Sequence, residues 1–99
     1  MLDYSRIEGF QWDTGDARKN EDKHGVSQGE TEQVFFNYPV VFDGAKHSGR
    51  EPRSHALGKT ADGRLFHITF TLRDVGTKIR IISARPMNRK ERAYYDKEA

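Results

Sequence analysis

The chain has 99 residues, 34% of them hydrophobic and 32% charged, with a formal net charge of +2; this supports a single domain over residues 1–99 with one modest core. No run approaches the roughly 18 apolar residues of a membrane span, MLDYSRIEGF lacks the apolar centre of a secretory signal, and the absence of cysteine excludes a disulfide framework and a thiolate zinc site. The expectation is a folded, cytoplasmic protein with no membrane partner.

In chain order, "GFQW" at 9–12 reads as a short edge strand, after which Asp13 is placed to cap a helix. "DKHGVS" ends that helix, with Lys23 and His24 at the negative end of its dipole and Gly25 where a left-handed residue is needed. Ser27 and Glu30 form a capping box for a second helix, which runs to about Asn37. Val34, Phe35 and Phe36 supply its core residues, and Pro39 ends it. "VVF" at 40–42 reads as a strand, and "DGAKHSGREP" at 43–52 as a loop. "SHALGK" then leads through Ala61-Asp62-Gly63 into "LFHITFTL". There Phe66, Ile68, Phe70 and Leu72 form a core face, and His67, Thr69 and Thr71 a polar one. In "TKIRIISA", strict alternation puts Ile79 and Ile81 on one face and Arg80, Ile82 and Ala84 on the other. Asn88 and Glu91 form another capping box, opening a last helix with Ala93, Tyr94 and Tyr95. The fold class is α+β: a small antiparallel sheet of about four strands, two N-terminal helices and a C-terminal helix.

Charge is unevenly distributed. The acids concentrate before residue 33, whereas Arg73, Lys78, Arg80, Arg85, Arg89, Lys90 and Arg92 face only Asp74 and Glu91. Such a patch fits a polyanion partner, an acidic protein partner, or a solvated basic face.

Several landmarks follow one another: Phe10, Trp12 and Asp13; Asn-x-x-Lys-His-Gly-Val at 20–26; Val34-Phe35 with Pro39; Gly58 before a hairpin; "RIISAR" at 80–85; and Glu91 with Tyr95. Together they resemble the BrnT toxins of bacterial type II toxin–antitoxin systems. The resemblance runs from about Phe10 to the C-terminus and leaves residues 1–9 as an extension. Pro86 departs from it, standing where many relatives have a lysine or another polar residue. The resemblance implies a RelE-like ribonuclease that arrests translation, with no cofactor. It also implies a BrnA-type antitoxin that carries the DNA-binding domain, so that operator DNA is reached only through the antitoxin.

Metal-free RNA cleavage uses the substrate's 2′-hydroxyl as nucleophile, with a base, an acid and cations that stabilise phosphorane-like charge. His24 is an acid–base candidate because an ordinary imidazole titrates near neutrality, and equally a packed histidine at a helix end. Lys23 beside it is set either to touch phosphate or to compensate the helix dipole. Arg80 and Arg85 are the favoured cations, since the guanidinium fork matches phosphate. The alternative for Arg80 is pairing with Glu91. Tyr95 shares a helix face with Glu91 and serves either to stack a base or donate a proton, or as a core contact. Arg64, Lys78, Arg89 and Arg92 extend the expected RNA-binding footprint. His47, His55 and His67 have no metal-ligand spacing, so no metal site is expected. The competing reading is a module that holds RNA, DNA or protein on the same patch without cleaving anything.

Overall fold

The structure, a computed structural model, describes residues 3–44 and 52–99. Most of the expected 43–52 loop therefore lies outside the described residues. A single 3₁₀ turn, Tyr4–Arg6, precedes β1 (Gly9–Trp12), α1 (Thr14–His24), α2 (Gln28–Phe36), β2 (Val40–Asp43), β3 (Ser54–Lys59), β4 (Leu65–Arg73), β5 (Lys78–Pro86) and α3 (Arg89–Glu98).

The helix boundaries are set by their caps. The Asp13 carboxylate accepts from the N–H groups of Gly15 and Asp16, and Gly25 closes α1 in the left-handed conformation at φ 66°. Both capping boxes form, Ser27 with Glu30 and Asn88 with Glu91. Gly58 lets α2 approach the sheet closely, since a Cβ there would stand 2.7 Å from Val34 Cγ1.

The strands form one sheet in the order β1-β5-β4-β3-β2. Strands β2 to β5 pair antiparallel, as their connections require. The sheet has five strands rather than about four, and it is mixed. The expected edge strand GFQW pairs parallel with β5, Phe10 opposite Ile79 and Trp12 opposite Ile81, because the chain travels through both helices and three strands before it returns there.

The two faces carry separate cores. On one face, α1 and α2 cover Ala56, Phe66, Ile68, Phe70, Ile79, Ile81 and Ala84 with Val26, Val34 and Phe35. Phe35 meets Phe70 edge to face at 5.2 Å. Phe36, expected in this core, is instead 72% exposed; one step along a helix turns a side chain about 100° away. On the opposite face α3 packs Met87 and Tyr95 on Leu57.

One irregularity decides how the sheet is used. Thr69 pairs with Ser83, but its neighbour Phe70 pairs with Ile81, which leaves Ile82 as an extra residue in β5. The bulge reverses the alternation, so Ala84 joins Ile79 and Ile81 in the core rather than siding with Arg80. Arg85, opposite His67, is thereby brought to the same face as Arg80, opposite Thr71. Without the bulge, two residues five apart in a strand would point in opposite directions.

Candidate active site

Strand β1 stops opposite Ile81. Beyond that point α1 flanks β5, and the Ala84 N–H donates to Asn20 Oδ1 at 3.2 Å. Asn20 is buried in this contact, so the first residue of the Asn-x-x-Lys-His-Gly-Val stretch is a strand-edge acceptor. It secures the segment of β5 that carries Arg85.

On the α3 face, the polar alternates of β4 meet residues of β3, β5 and α3. His67, Thr69 and Thr71 are all buried, so this second face is an interior polar surface rather than a solvated one. The Thr71 hydroxyl donates to the Pro52 carbonyl at 2.8 Å, and Thr69 Oγ1 lies 3.2 Å from His55 Nδ1. The rings of His55 and His67 stack, with centroids 5.0 Å apart.

Arg85 and Glu91 form the charged centre of this face. Arg85 Nη1 donates to Glu91 Oε1 and Nη2 to Oε2, each at 2.8 Å, a bidentate fork. Glu91 Oε1 also accepts from the Asn88 N–H at 2.9 Å. Burial pushes the Glu91 carboxyl up, but these bonds from Arg85 and Asn88 outweigh it and hold its pKa below the usual value. His67 Nε2 stands 3.9 Å from Glu91 Oε2, too far for a hydrogen bond. Burial is the main reason that His67 titrates low, at about 4, with Glu91 pulling upward and Arg85 and His55 pushing down. Burial likewise lowers His55, with Glu91 opposing and Arg85 and Arg53 adding to the shift. At neutral pH the cluster therefore holds two neutral imidazoles, one carboxylate and one guanidinium. His67 Nδ1 has no hydrogen-bond partner among the described residues.

The other residues singled out in the sequence are dispersed. Arg80 is half-buried on the same face as Arg85, and Glu91 pairs with Arg85 rather than with Arg80. Lys23 and His24 end α1 in the opposite layer, Lys23 exposed and His24 half-buried. Tyr95 is in the second core with Leu57 and Met87. Arg64 is tied to Glu30 and to the Gly25 carbonyl, and lies over the Phe66 ring at 4.8 Å. Lys78 Nζ is 4.0 Å from Glu8. Arg89 and Arg92 are exposed on α3.

His55 and His67 carry no spacing signal, and no motif search would single them out. The usable signal was the polar alternation His67-Thr69-Thr71 in a strand lying one strand from each basic or histidine-bearing neighbour. Only the sheet order makes it a cluster.

Residues 12–91 match the model of a family described as the ribonuclease toxin, BrnT, of type II toxin–antitoxin systems. Among solved structures, the chain is similar to the 1.1 Å crystal structure of the Brucella abortus ribonuclease toxin, BrnT, with a TM-score of 0.63 and 19% identity. That match covers 84% of this chain and 100% of the other. No curated protein matches the sequence.

Proposed function

The chain belongs to the BrnT family of ribonuclease toxins from type II toxin–antitoxin systems, and on that premise we propose that it is a metal-independent endoribonuclease with a RelE-like mode of action that arrests translation. The observation that carries this reading is the bulged register of β5, which sets Arg85 beside His67, His55 and Glu91 and leaves Arg80 on the same face, further along the strand opposite Thr71. Arg85 takes a phosphate oxygen of the scissile link, and Glu91 holds its guanidinium in plane. Arg80 adds a second cation. Neutral His67, directly across the ladder from Arg85, accepts the proton of the 2′-hydroxyl as that oxygen bonds to phosphorus; the P–O5′ bond breaks, the leaving 5′-oxygen takes a proton from water, and His67 then returns its proton to solvent. No step in this reading runs through Lys23 or His24, which end α1 in the opposite layer, or through Tyr95, which packs with Leu57 and Met87. Arg89 and Arg92 extend the path of the RNA backbone. Membership of a type II system implies an antitoxin partner; here it is a BrnA-type protein that covers these cations in the complex and brings the pair to operator DNA.

The test is cleavage of bulk cellular RNA in EDTA by the purified chain, beside Arg85→Ala and His67→Gln variants whose fold is checked by circular dichroism. Products ending in a 2′,3′-cyclic phosphate are expected from the wild type, with a loss of roughly 10²- to 10³-fold in each variant. Cleavage that appears only with added divalent metal would overturn the metal-independent mechanism. Binding of RNA without cleavage, with translating ribosomes present or absent, would leave the chain a binding module.

A further inference from the structure

The same face carries a feature of which the cleavage chemistry uses only the buried end, His67. Three flat rings stack across three neighbouring strands: His67 in β4, His55 in β3 and Phe42 in β2. Centroids are 5.0 and 5.2 Å apart, and the planes are inclined by 25° and 23°. The stack runs outward from the core. His67 is 8% exposed, His55 is half-buried, and Phe42 is 37% exposed. It ends on an edge strand, since β2 is the last of the sheet. From α3 the Tyr94 ring meets Phe42 at 6.1 Å and 72°, and it too is open to solvent, at 45%.

Exposed rings on an edge strand invite misassociation unless they serve a ligand. The surroundings select which ligand. Arg85 and Arg53 both lie within electrostatic range of His55, in the middle of the stack. An aromatic surface flanked by arginines matches an alternation of flat bases and phosphates. A lipid or an apolar peptide would leave those cations unused.

We propose that Phe42 and Tyr94 form a stacking platform for one unpaired base of single-stranded RNA, on the strand that Arg85 engages through its phosphate. The identity of the ligand rests on the ribonuclease reading. Three strand spacings of roughly 4.8 Å separate β2 from β5, so the stacked base belongs to a nucleotide beyond the scissile link. Every base offers a π-face, so the platform positions RNA without reading its sequence.

The experiment uses short single-stranded RNAs, 2′-O-methylated so that they resist cleavage, with 2-aminopurine placed at each position in turn. Stacking on Phe42 quenches the fluorescence at one position, and Phe42→Leu abolishes that quench and weakens binding about 10-fold. Phe42→Trp, which keeps an aromatic surface, restores both, and Tyr94→Leu weakens both. With cleavable RNA the loss in Phe42→Leu appears in KM rather than kcat. Tight binding with no position quenched, quenching that survives Phe42→Leu, or no RNA binding by the wild type would each overturn the platform. Position-specific quenching in a protein that cleaves no RNA would support the platform and overturn the ribonuclease reading; cleavage with KM unmoved in Phe42→Leu would do the reverse.

Discussion

His67 shows how much a single residue's environment changes its chemistry. An ordinary imidazole is half-protonated near pH 6.5, whereas burial lowers this one to about 4. The unfolded chain therefore binds a proton that the folded chain refuses between those two values. Stability is full above pH 6.5 and falls as pH drops toward 4. Discounted for partial contact with water, the loss is on the order of 2 kcal/mol. Denaturant melts at pH 7 and 4.5 should show a shallower fall in His67→Gln than in the wild type. For the same reason, the acid limb of kcat/KM should lie well below 6.5. A limb at 6.5 would remove His67 from the role of base. Glu91 opposes the shift, so Glu91→Gln, which keeps a capping side chain, should move the His67 pKa still lower in an NMR titration. The same change frees the Arg85 fork and should cut cleavage at least 10-fold.

At the scale of elements, β5 carries the site and its two neighbours hold it in register. Asn20 accepts the Ala84 N–H from α1. In Asn20→Ala that buried donor loses its partner, and a destabilisation of about 1–3 kcal/mol is expected in urea melts. The β4–β5 turn is under strain. Asp74, Val75 and Gly76 all have positive φ, and at Val75, with φ 57°, the side chain is β-branched. That turn is held by the Arg6 guanidinium, which donates to the Val75 carbonyl at 2.9 Å, and by Gln11, which donates to Asp74 at 3.2 Å. Val75 is 87% exposed and gives up no packing when replaced. Val75→Asn should therefore stabilise by about 1 kcal/mol, as asparagine tolerates the left-handed region; an unchanged or lower melting temperature would show that the turn is not strained. The capping boxes, the glycine C-cap and the strand alternation of β4 follow local rules and were legible in the chain. The register of β5 was not, because a bulge is a relation between two strands and leaves no mark in "KIRIISARP".

For the whole molecule, the small net charge of +2 is the sum of two unlike layers. On the α1 and α2 side Asp13, Asp16, Glu21, Asp22, Glu30 and Glu32 outnumber Arg18, Lys19 and Lys23, while on the other Arg80, Arg85, Arg89, Lys90, Arg92 and Lys97 outnumber Glu91, Asp96 and Glu98. This polarity should orient a polyanion toward the site. Binding of uncleavable single-stranded RNA should weaken with salt, and Arg89→Ala with Arg92→Ala should flatten the slope of log K against log salt by about 0.7 for each phosphate that is no longer neutralised. An unaltered slope would mean that α3 merely faces solvent. The helices and their ends, the strand runs, the core alternation of β4, the family landmarks and the basic character of the last third are legible in the chain, because each depends on near neighbours. The tertiary structure alone decided the parallel seat of β1, the re-phasing that unites Arg80 with Arg85, the pairing of Arg85 with Glu91, and the ring stack from His67 to Phe42. These are relations between segments far apart in sequence, and the chain brings them together only once both faces of the sheet have been covered.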